Sequence, residues 1–199
     1  LTVRQGDYLD HIATSSSLLL TTVNDILDLA TVDAGIMDLE VDEVDVAVLF
    51  ASVEQSFAGR FAEAGVELKT AVASGITNFK ADGQRLRQVI GNLISNAVNH
   101  APEGSAVNLS AKLDGSDVVI SIQDEGPGIP SDVLASVFDR FVAHGNGRRR
   151  GGAGLGLSIV KGLVELHKGS VSIQSNAESG TRVDCRFPAD PAKFRQAAE

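Results

Sequence analysis

The chain is poor in cysteine, in positive charge and in long apolar runs, and each shortage excludes a class of protein. Cys185 is the only cysteine among 199 residues, which excludes an internal disulfide framework and a cysteine-based zinc site and fits a cytosolic compartment. Lysine and arginine number 17 against 26 aspartates and glutamates, and the net charge of −9 argues against nucleic acid as a partner. Every apolar stretch is too short or too interrupted to span a bilayer.

The N-terminus lacks both a signal peptide and an initiating methionine. We therefore expect a piece of a longer protein, located in the cytoplasm and compatible with a membrane-attached parent. The hydrophobic content of 43% is enough for a real core, and the length suits one domain with an appendage.

One long amphipathic helix is predicted for residues 4–32. Ile12, Leu19 and Ile26 recur every seven residues, with further apolar residues between them. Such a stripe is buried against other helices, so this helix needs a partner outside itself. Gly35 is a suitable C-terminal cap.

The rest of the chain alternates between strand and helix patterns. Period-two runs predict strands at 38–44, 66–72, 106–113, 118–123, 171–173 and 183–187, and apolar residues at helical spacing predict helices at 46–64, 84–100 and 155–167. Because the strands pair locally and the helices come in blocks, the pattern predicts an α+β sandwich with helices on one face of a mixed sheet.

A line of asparagines follows the apolar stripe of helix 84–100. Asn92, Asn96 and Asn99 stand at i, i+4 and i+7. Asparagine is a mediocre helix former, and its carboxamide oxygen suits Mg²⁺, which is usually held by few protein groups, water and substrate phosphates. The alternative is a polar helix face with a chance line of amides.

An acidic glycine turn, Asp-Glu-Gly-Pro-Gly-Ile-Pro, follows the apolar strand 118–123. Asp124 stands at the end of that strand, and the glycines that follow let the backbone approach a flat ligand closely. A carboxylate beside such a turn can accept a hydrogen bond from an exocyclic amine, as on adenine. The alternative is an ordinary tight turn, with Pro130 starting the next helix.

A second glycine-rich stretch precedes helix 155–167. Gly152, Gly154 and Gly156 free their amides to point at an anion, and the helix N-terminus adds its own N–H groups and dipole, so phosphate is the predicted ligand. A dinucleotide-binding fingerprint fails because its third glycine is missing and no apolar strand precedes it. The basic segment 143–151, with arginines at 148–150, is interpreted as a lid over phosphates, and the alternative is an exposed basic loop.

In this order, the elements resemble the ATP-binding domain of bacterial sensor histidine kinases, within the Bergerat-fold group. Residues 92–97 resemble the N box, 124–130 the first glycine box, 138–141 the F box, 152–157 the second glycine box and 180–181 the closing glycine-threonine pair. Residues 24–35 are similar to the second helix of the dimerisation and phosphoacceptor hairpin, and 139–167 looks most like the DivL-like cell-cycle group.

The resemblance implies a fold and domain boundaries. The expected architecture is an α+β two-layer Bergerat-type sandwich of a mixed sheet and helices, preceded by one long helix. Residues 1–36 would be the second hairpin helix, 37–190 the catalytic ATP-binding domain and 191–199 a C-terminal tail.

The resemblance also implies ATP and Mg²⁺ as ligands. Asn96 would bind the metal and Asn92 would lie near the phosphates, both as catalytic residues. Asp124 would bind the adenine amine, with Thr181 near it, and Arg140 would reach the phosphate tail with the lid arginines. The remaining implied pocket residues are Gly126, Gly128, Gly152, Gly154, Leu155, Gly156 and Leu157.

The implied activity is transfer of the γ-phosphoryl group to a hairpin histidine, for relay to an aspartate of a response regulator. Related ATPases carry a water-activating glutamate where this chain has Asn92, so hydrolysis is disfavoured. His11 lacks the acceptor motif, so the acceptor is expected outside this chain. Asn99 and His100 replace the usual lysine and aromatic residue, which keeps open an alternative: a nucleotide-binding pseudokinase or adaptor regulating a partner kinase. The expected parent is a homodimer through the hairpin.

Overall fold

The computed structural model describes residues 2–142 and 154–189. Within them the chain forms, in order, α1 (Val3–Asp33), β1 (Asp42–Asp45), α2 (Val46–Ala64), β2 (Glu67–Val72), β3 (Asn78–Ala81), α3 (Gly83–His100), β4 (Ala106–Asp114), β5 (Asp117–Asp124), α4 (Ser131–Leu134), α5 (Gly156–Leu166), β6 (Ser170–Asn176) and β7 (Gly180–Pro188).

Five strands form the main sheet, in the order β2-β4-β5-β7-β6. The β2–β4 pair is parallel and the other three pairs are antiparallel. Because side chains alternate along a strand, the register aligns apolar residues in rows across one face, and one such row is Leu109, Ile122, Val183 and Ile173. These rows form a single core with the apolar faces of α2, α3 and α5. The predicted α+β sandwich of a mixed sheet and helices is confirmed.

The short strands β1 and β3 form a separate antiparallel pair. The strand predicted over 38–44 was wrong in its first residues, because β3 offers partners only from Asp42 to Asp45. Asp82 follows β3 and caps α3: its Oδ1 accepts the N–H groups of Gln84 and Arg85, and its Oδ2 accepts that of Glu40. The stretch before β1 is thereby tied to the start of α3.

A buried histidine joins α5 to the start of α3. The ring of His167 is fully buried; its Nδ1 lies 2.8 Å from the Leu163 carbonyl, and its Nε2 accepts the Asp82 N–H at 3.1 Å. Nδ1 therefore carries the proton. Burial lowers the pKa of His167, opposed by its contact with Leu163 and by the charge of Asp82. The edge of the ring packs on Phe187, with centroids 5.7 Å apart.

The helix α1 contacts the rest of the chain near its C-terminal end. Leu29 is buried there, and Asp28 accepts hydrogen bonds from Arg85 Nη1 at 3.0 Å and Gln88 Nε2 at 2.6 Å. Val32 packs against Gly162 of α5, close to the space a β-carbon would take there. The predicted apolar stripe is largely exposed; its exposed large residues are Ile12, Leu19, Leu20, Val23, Ile26 and Leu27. Among the described helices, none has the length and apolar character needed to cross a membrane.

Candidate nucleotide-binding site

A buried carboxylate marks one end of the candidate site. The strand β5 ends at Asp124, which is only 7% exposed, and its Oδ1 accepts the Gly126 N–H at 2.8 Å. Burial raises the pKa of Asp124, opposed by hydrogen bonds from the backbone of Gly126 and Thr181 and by the nearby His100. This carboxylate is a hydrogen-bond acceptor at the edge of the core.

The glycine turn after Asp124 is pressed between two other elements. A β-carbon at Gly126 would lie 2.7 Å from the Asp124 Oδ1 and 3.0 Å from the His100 carbonyl oxygen at the end of α3. Gly128 has φ +74°, and a β-carbon there would lie 2.4 Å from the Asn176 carbonyl oxygen. Only glycine allows this close approach, so the turn is seated against α3 on one side and the β6–β7 connection on the other.

A polar row continues from Asp124 across the neighbouring strands. Asp124 is paired with Thr181 and Thr181 with Ser175, so the three side chains share the helix-facing side of the sheet. Ser175 Oγ accepts the Ile129 N–H at 2.8 Å and lies 2.8 Å from Thr181 Oγ1 and 3.1 Å from the Gly180 carbonyl oxygen. Ser175 was not among the predicted site residues, although it continues the alternation of Val171 and Ile173 in β6.

Two asparagines of α3 face the start of α5. A β-carbon at Gly156, the first residue of α5, would lie 3.9 Å from Asn92 Cβ and Cγ and 3.9 Å from Asn96 Nδ2. Asn92 Nδ2 is buried and has no hydrogen-bond partner among the described residues. A buried donor without a partner costs about 1–3 kcal/mol. The N–H groups at the start of α5 and the Asn92 amide can both donate hydrogen bonds to an anion. Gly156 has no side chain between them, so this place suits the phosphate tail of a nucleotide.

The third asparagine of the predicted line serves a different contact. Asn99 Oδ1 accepts a hydrogen bond from Arg60 Nη2 at 2.9 Å, while Arg60 Nη1 donates to Ser95 Oγ at 2.8 Å. Burial lowers the pKa of Arg60, although the neighbouring Glu63 opposes the shift. Asn92 and Asn96 therefore face α5, whereas Asn99 contributes to the contact between α2 and α3.

The second glycine box is described from Gly154 onward, and Gly152 and the lid arginines lie outside the described residues. The Gly154 carbonyl accepts the Phe141 N–H at 3.0 Å, which joins the F box to the start of α5. Leu155 is buried, and its carbonyl accepts the Ile159 N–H and the Ser158 hydroxyl. Leu157 is partly buried against the core. These two leucines hold the start of α5 in place by packing.

The F-box arginine is engaged with α1. Arg140 Nη2 lies 2.5 Å from Asp33 Oδ1, and both side chains are 47% exposed. The contact with phosphates implied for Arg140 stays a prediction. It would require the Arg140 guanidinium to leave Asp33 or to be shared with it.

Helix α3 connects the two ends of the site. His100, whose carbonyl touches Gly126, follows Asn96 by four residues, which is about 6 Å along a helix. Asp124 and the turn after it therefore lie near the C-terminal end of α3, and Gly156 lies against Asn92 and Asn96, one to two turns earlier in the same helix. Among residues 2–142 and 154–189, no cluster of three or more His, Cys, Asp or Glu side chains could hold a metal. An amide oxygen with water and phosphates remains the donor set that Mg²⁺ accepts.

The family to which this fold belongs is shown by direct comparison. Residues 81–191 match the family of histidine kinase-, DNA gyrase B- and HSP90-like ATPases, and the chain belongs to it. The predicted resemblance to sensor histidine kinases is confirmed.

Particular relatives are sensor proteins. The chain is 35% identical over 185 residues to the sensor protein DivL of Caulobacter vibrioides, a match that covers 93% of this chain and 24% of DivL. The crystal structure of full-length ShkA in complex with AMPPNP matches at a TM-score of 0.81 and 34% identity, over 94% of this chain and 39% of that one. The histidine kinase ThkA, solved in complex with the response regulator protein TrrA, shares the fold at a TM-score of 0.75 and 23% identity, over 97% of this chain and 54% of that one. The chain thus spans well under two thirds of each of these relatives.

Proposed function

We propose that this chain is the core of a sensor histidine kinase that binds Mg-ATP and transfers its γ-phosphoryl group to a histidine of the helical hairpin. The observation that carries the proposal is the buried Nδ2 of Asn92, which has no hydrogen-bond partner within residues 2–142 and 154–189, and the contact of Asn92 with the glycine at the N-terminus of α5. The parent's hairpin would include residues 1–36, with the catalytic domain at 37–190 and a tail at 191–199.

Each end of the site has a task in this proposal. Asp124 accepts a hydrogen bond from the adenine amine, and Gly126 lets the base lie close to the turn. Asn92 Nδ2 and the first N–H groups of α5 donate to phosphate oxygens. Asn96 would hold Mg²⁺ through its amide oxygen, and bound Mg²⁺ would neutralise charge on the phosphates.

The proposed transfer to a histidine, instead of to water, follows from the absence of a carboxylate at position 92 of α3. At Asn92 an amide stands where a water-activating enzyme needs a carboxylate, so the described helix supplies no general base there. The nucleophile is then an imidazole nitrogen of the hairpin: a nitrogen–phosphorus bond forms and the bond from the γ-phosphorus to the bridging oxygen breaks, leaving ADP. The protein contributes positioning and charge stabilisation. The phosphoryl group then passes to an aspartate of a response regulator.

A second candidate is a nucleotide-binding adaptor that regulates a partner kinase. It is favoured by Asn99, which binds Arg60 where the family's N box continues with a lysine, and by Arg140, which is paired with Asp33. Both features reduce the positive charge available to a phosphate tail.

Nucleotide binding is tested by calorimetric titration of the chain with ATP, with and without Mg²⁺. Replacing Asn96 by Ala should remove the Mg²⁺ dependence of ATP affinity, because the metal loses its protein ligand. Asn108→Ala is the matched control, since Asn108 lies on the strand β4 and its partner in register is Gln123, on the polar side of the sheet. An unchanged Mg²⁺ dependence in Asn96→Ala would refute the assignment of Asn96.

Phosphoryl transfer is tested in the parent protein, with its complete hairpin, by looking for acid-labile, base-stable phosphate on protein. Labelling supports the kinase. ATP binding without labelling supports the adaptor, and steady release of phosphate to water without labelling would indicate an ATPase. Failure of the chain to bind ATP would exclude the kinase.

A further inference from the structure

The hydroxyl of Ser175 meets three partners at the base end of the site. The Ile129 N–H is a donor and the Gly180 carbonyl oxygen is an acceptor, while Thr181 Oγ1 can act as either. These contacts measure 2.8, 3.1 and 2.8 Å. Ser175 thus links the first glycine box to the hairpin that carries Thr181.

Counting protons gives one arrangement that satisfies all three contacts. The Ser175 hydroxyl has a single proton, which must go to the Gly180 carbonyl because that oxygen can only accept. Its oxygen then accepts from the Ile129 N–H and, with its remaining lone pair, from the Thr181 hydroxyl. Thr181 must therefore donate its proton to Ser175, and what its oxygen retains is acceptor capacity.

The orientation of the Thr181 hydroxyl matters because of its neighbour. Thr181 is paired in register with Asp124, on the same face of the sheet. A carboxylate alone does not select a base: it can accept from the 6-amino group of adenine or from the N1–H of a 6-oxo purine. A second acceptor beside it repels a 6-oxo group and accepts from a 6-amino group.

We propose that Ser175 is a positioning residue that keeps the Thr181 hydroxyl turned away from the base, so that this wall of the pocket only accepts hydrogen bonds and selects 6-amino over 6-oxo purines. The role rests on the proposed function, since it requires a nucleotide with its base at Asp124. Ser175 acts through Thr181 and through the Ile129 amide.

The test compares ATP with inosine triphosphate, which differs at positions 6 and 1 of the base. Affinities for both are measured by calorimetry for the wild-type chain and for Ser175→Ala. In the variant the Thr181 hydroxyl can turn and donate to a 6-oxo group, so the preference for ATP should fall about tenfold, the effect of one buried hydrogen-bond mismatch. Ser175→Thr keeps a hydroxyl and should retain the preference. Ser172→Ala, on the other face of β6, should also retain it.

Two further measurements separate positioning from mere structural support. Thr181→Val removes the second acceptor and should lower the preference by itself; Ser175→Ala added to it should then change the preference no further. Amide exchange of Ile129, measured without nucleotide, should accelerate in Ser175→Ala and not in Ser172→Ala.

The inference is overturned if the wild type binds ATP and Ser175→Ala weakens ATP and inosine triphosphate by the same factor, or leaves their ratio unchanged. If Ser175→Ala does not fold, the Thr181→Val ratio decides: an undiminished preference for ATP overturns the inference. If the wild type binds neither nucleotide, the proposed function itself fails and this role fails with it.

Discussion

Replacing Gly156 by Ala should separate folding from nucleotide binding. Gly156 opens α5 without a positive φ, and its added β-carbon would meet nothing closer than 3.9 Å. Alanine should therefore fit and raise the free energy of unfolding by about 0.4–1 kcal/mol, because it restricts the unfolded chain. The same methyl group would fill the space between α5 and the Nδ2 of Asn96.

The loss of binding can be estimated from what that space would hold. If a phosphate oxygen lies there, the methyl group removes at least one hydrogen bond to a charged group, worth about 1.5–3 kcal/mol. The dissociation constant of Mg-ATP should then rise roughly 10- to 150-fold. Calorimetry gives the dissociation constant, and urea unfolding without nucleotide gives the stability.

The matched control is Gly59→Ala in α2, where a β-carbon has no neighbour within 4 Å. It should raise stability by about 1 kcal/mol, the helix propensity difference, and leave Mg-ATP affinity unchanged. Should Gly156→Ala bind Mg-ATP within about twofold of the wild type, at an estimated cost below 0.5 kcal/mol, the phosphate tail does not pass between α3 and α5.

Three other variants test the site and the core through measured ATP affinity and unfolding free energy. Asn92→Ala should leave the free energy of unfolding unchanged or raise it by about 1 kcal/mol, because it removes a buried donor that has no partner in the described part of the chain. It should nevertheless weaken ATP binding about tenfold, and a loss of stability would contradict this reasoning. Asp33→Ala should free Arg140 and tighten ATP binding about two- to fivefold, since an exposed ion pair is worth under about 1 kcal/mol; no change on titration would remove Arg140 from the phosphate site. The lowered pKa of His167 means that the unfolded state takes up its proton first as the pH falls, so stability should be complete above about pH 6.5 and decline below it, and His167→Gln should weaken that decline in urea unfolding.

Periodicity was sufficient to predict most of the fold, because burial on one face leaves a direct mark on a sequence. The α2 pattern predicted the bounds of that helix as observed, and the alternation over 106–113 and 118–123 predicted the strands β4 and β5, which pair with each other. The strand β3 was missed because four residues carry only two buried positions, Phe79 and Ala81, too few to show a period.

The motifs also predicted which segments meet, but not how their side chains pair. Asp33 and Arg140 are 107 residues apart, and no local pattern joins them. The contact between Arg60 and Asn99 likewise depends on how α2 crosses α3. Such pairings follow from tertiary geometry, which the local spacing of residues does not contain.

The attachment of α1 has a mechanical consequence. The helix has 31 residues and is therefore about 46 Å long, and it is pinned at one end through Asp28, Leu29, Val32 and Asp33. Asp28 contacts Arg85 of α3, Val32 contacts Gly162 of α5, and Asp33 is paired with Arg140. A pivot of about 10° there would swing the distant end of a rod of that length by about 8 Å. A small rotation at the attached end of α1 therefore becomes a displacement of several ångströms at its free-standing end.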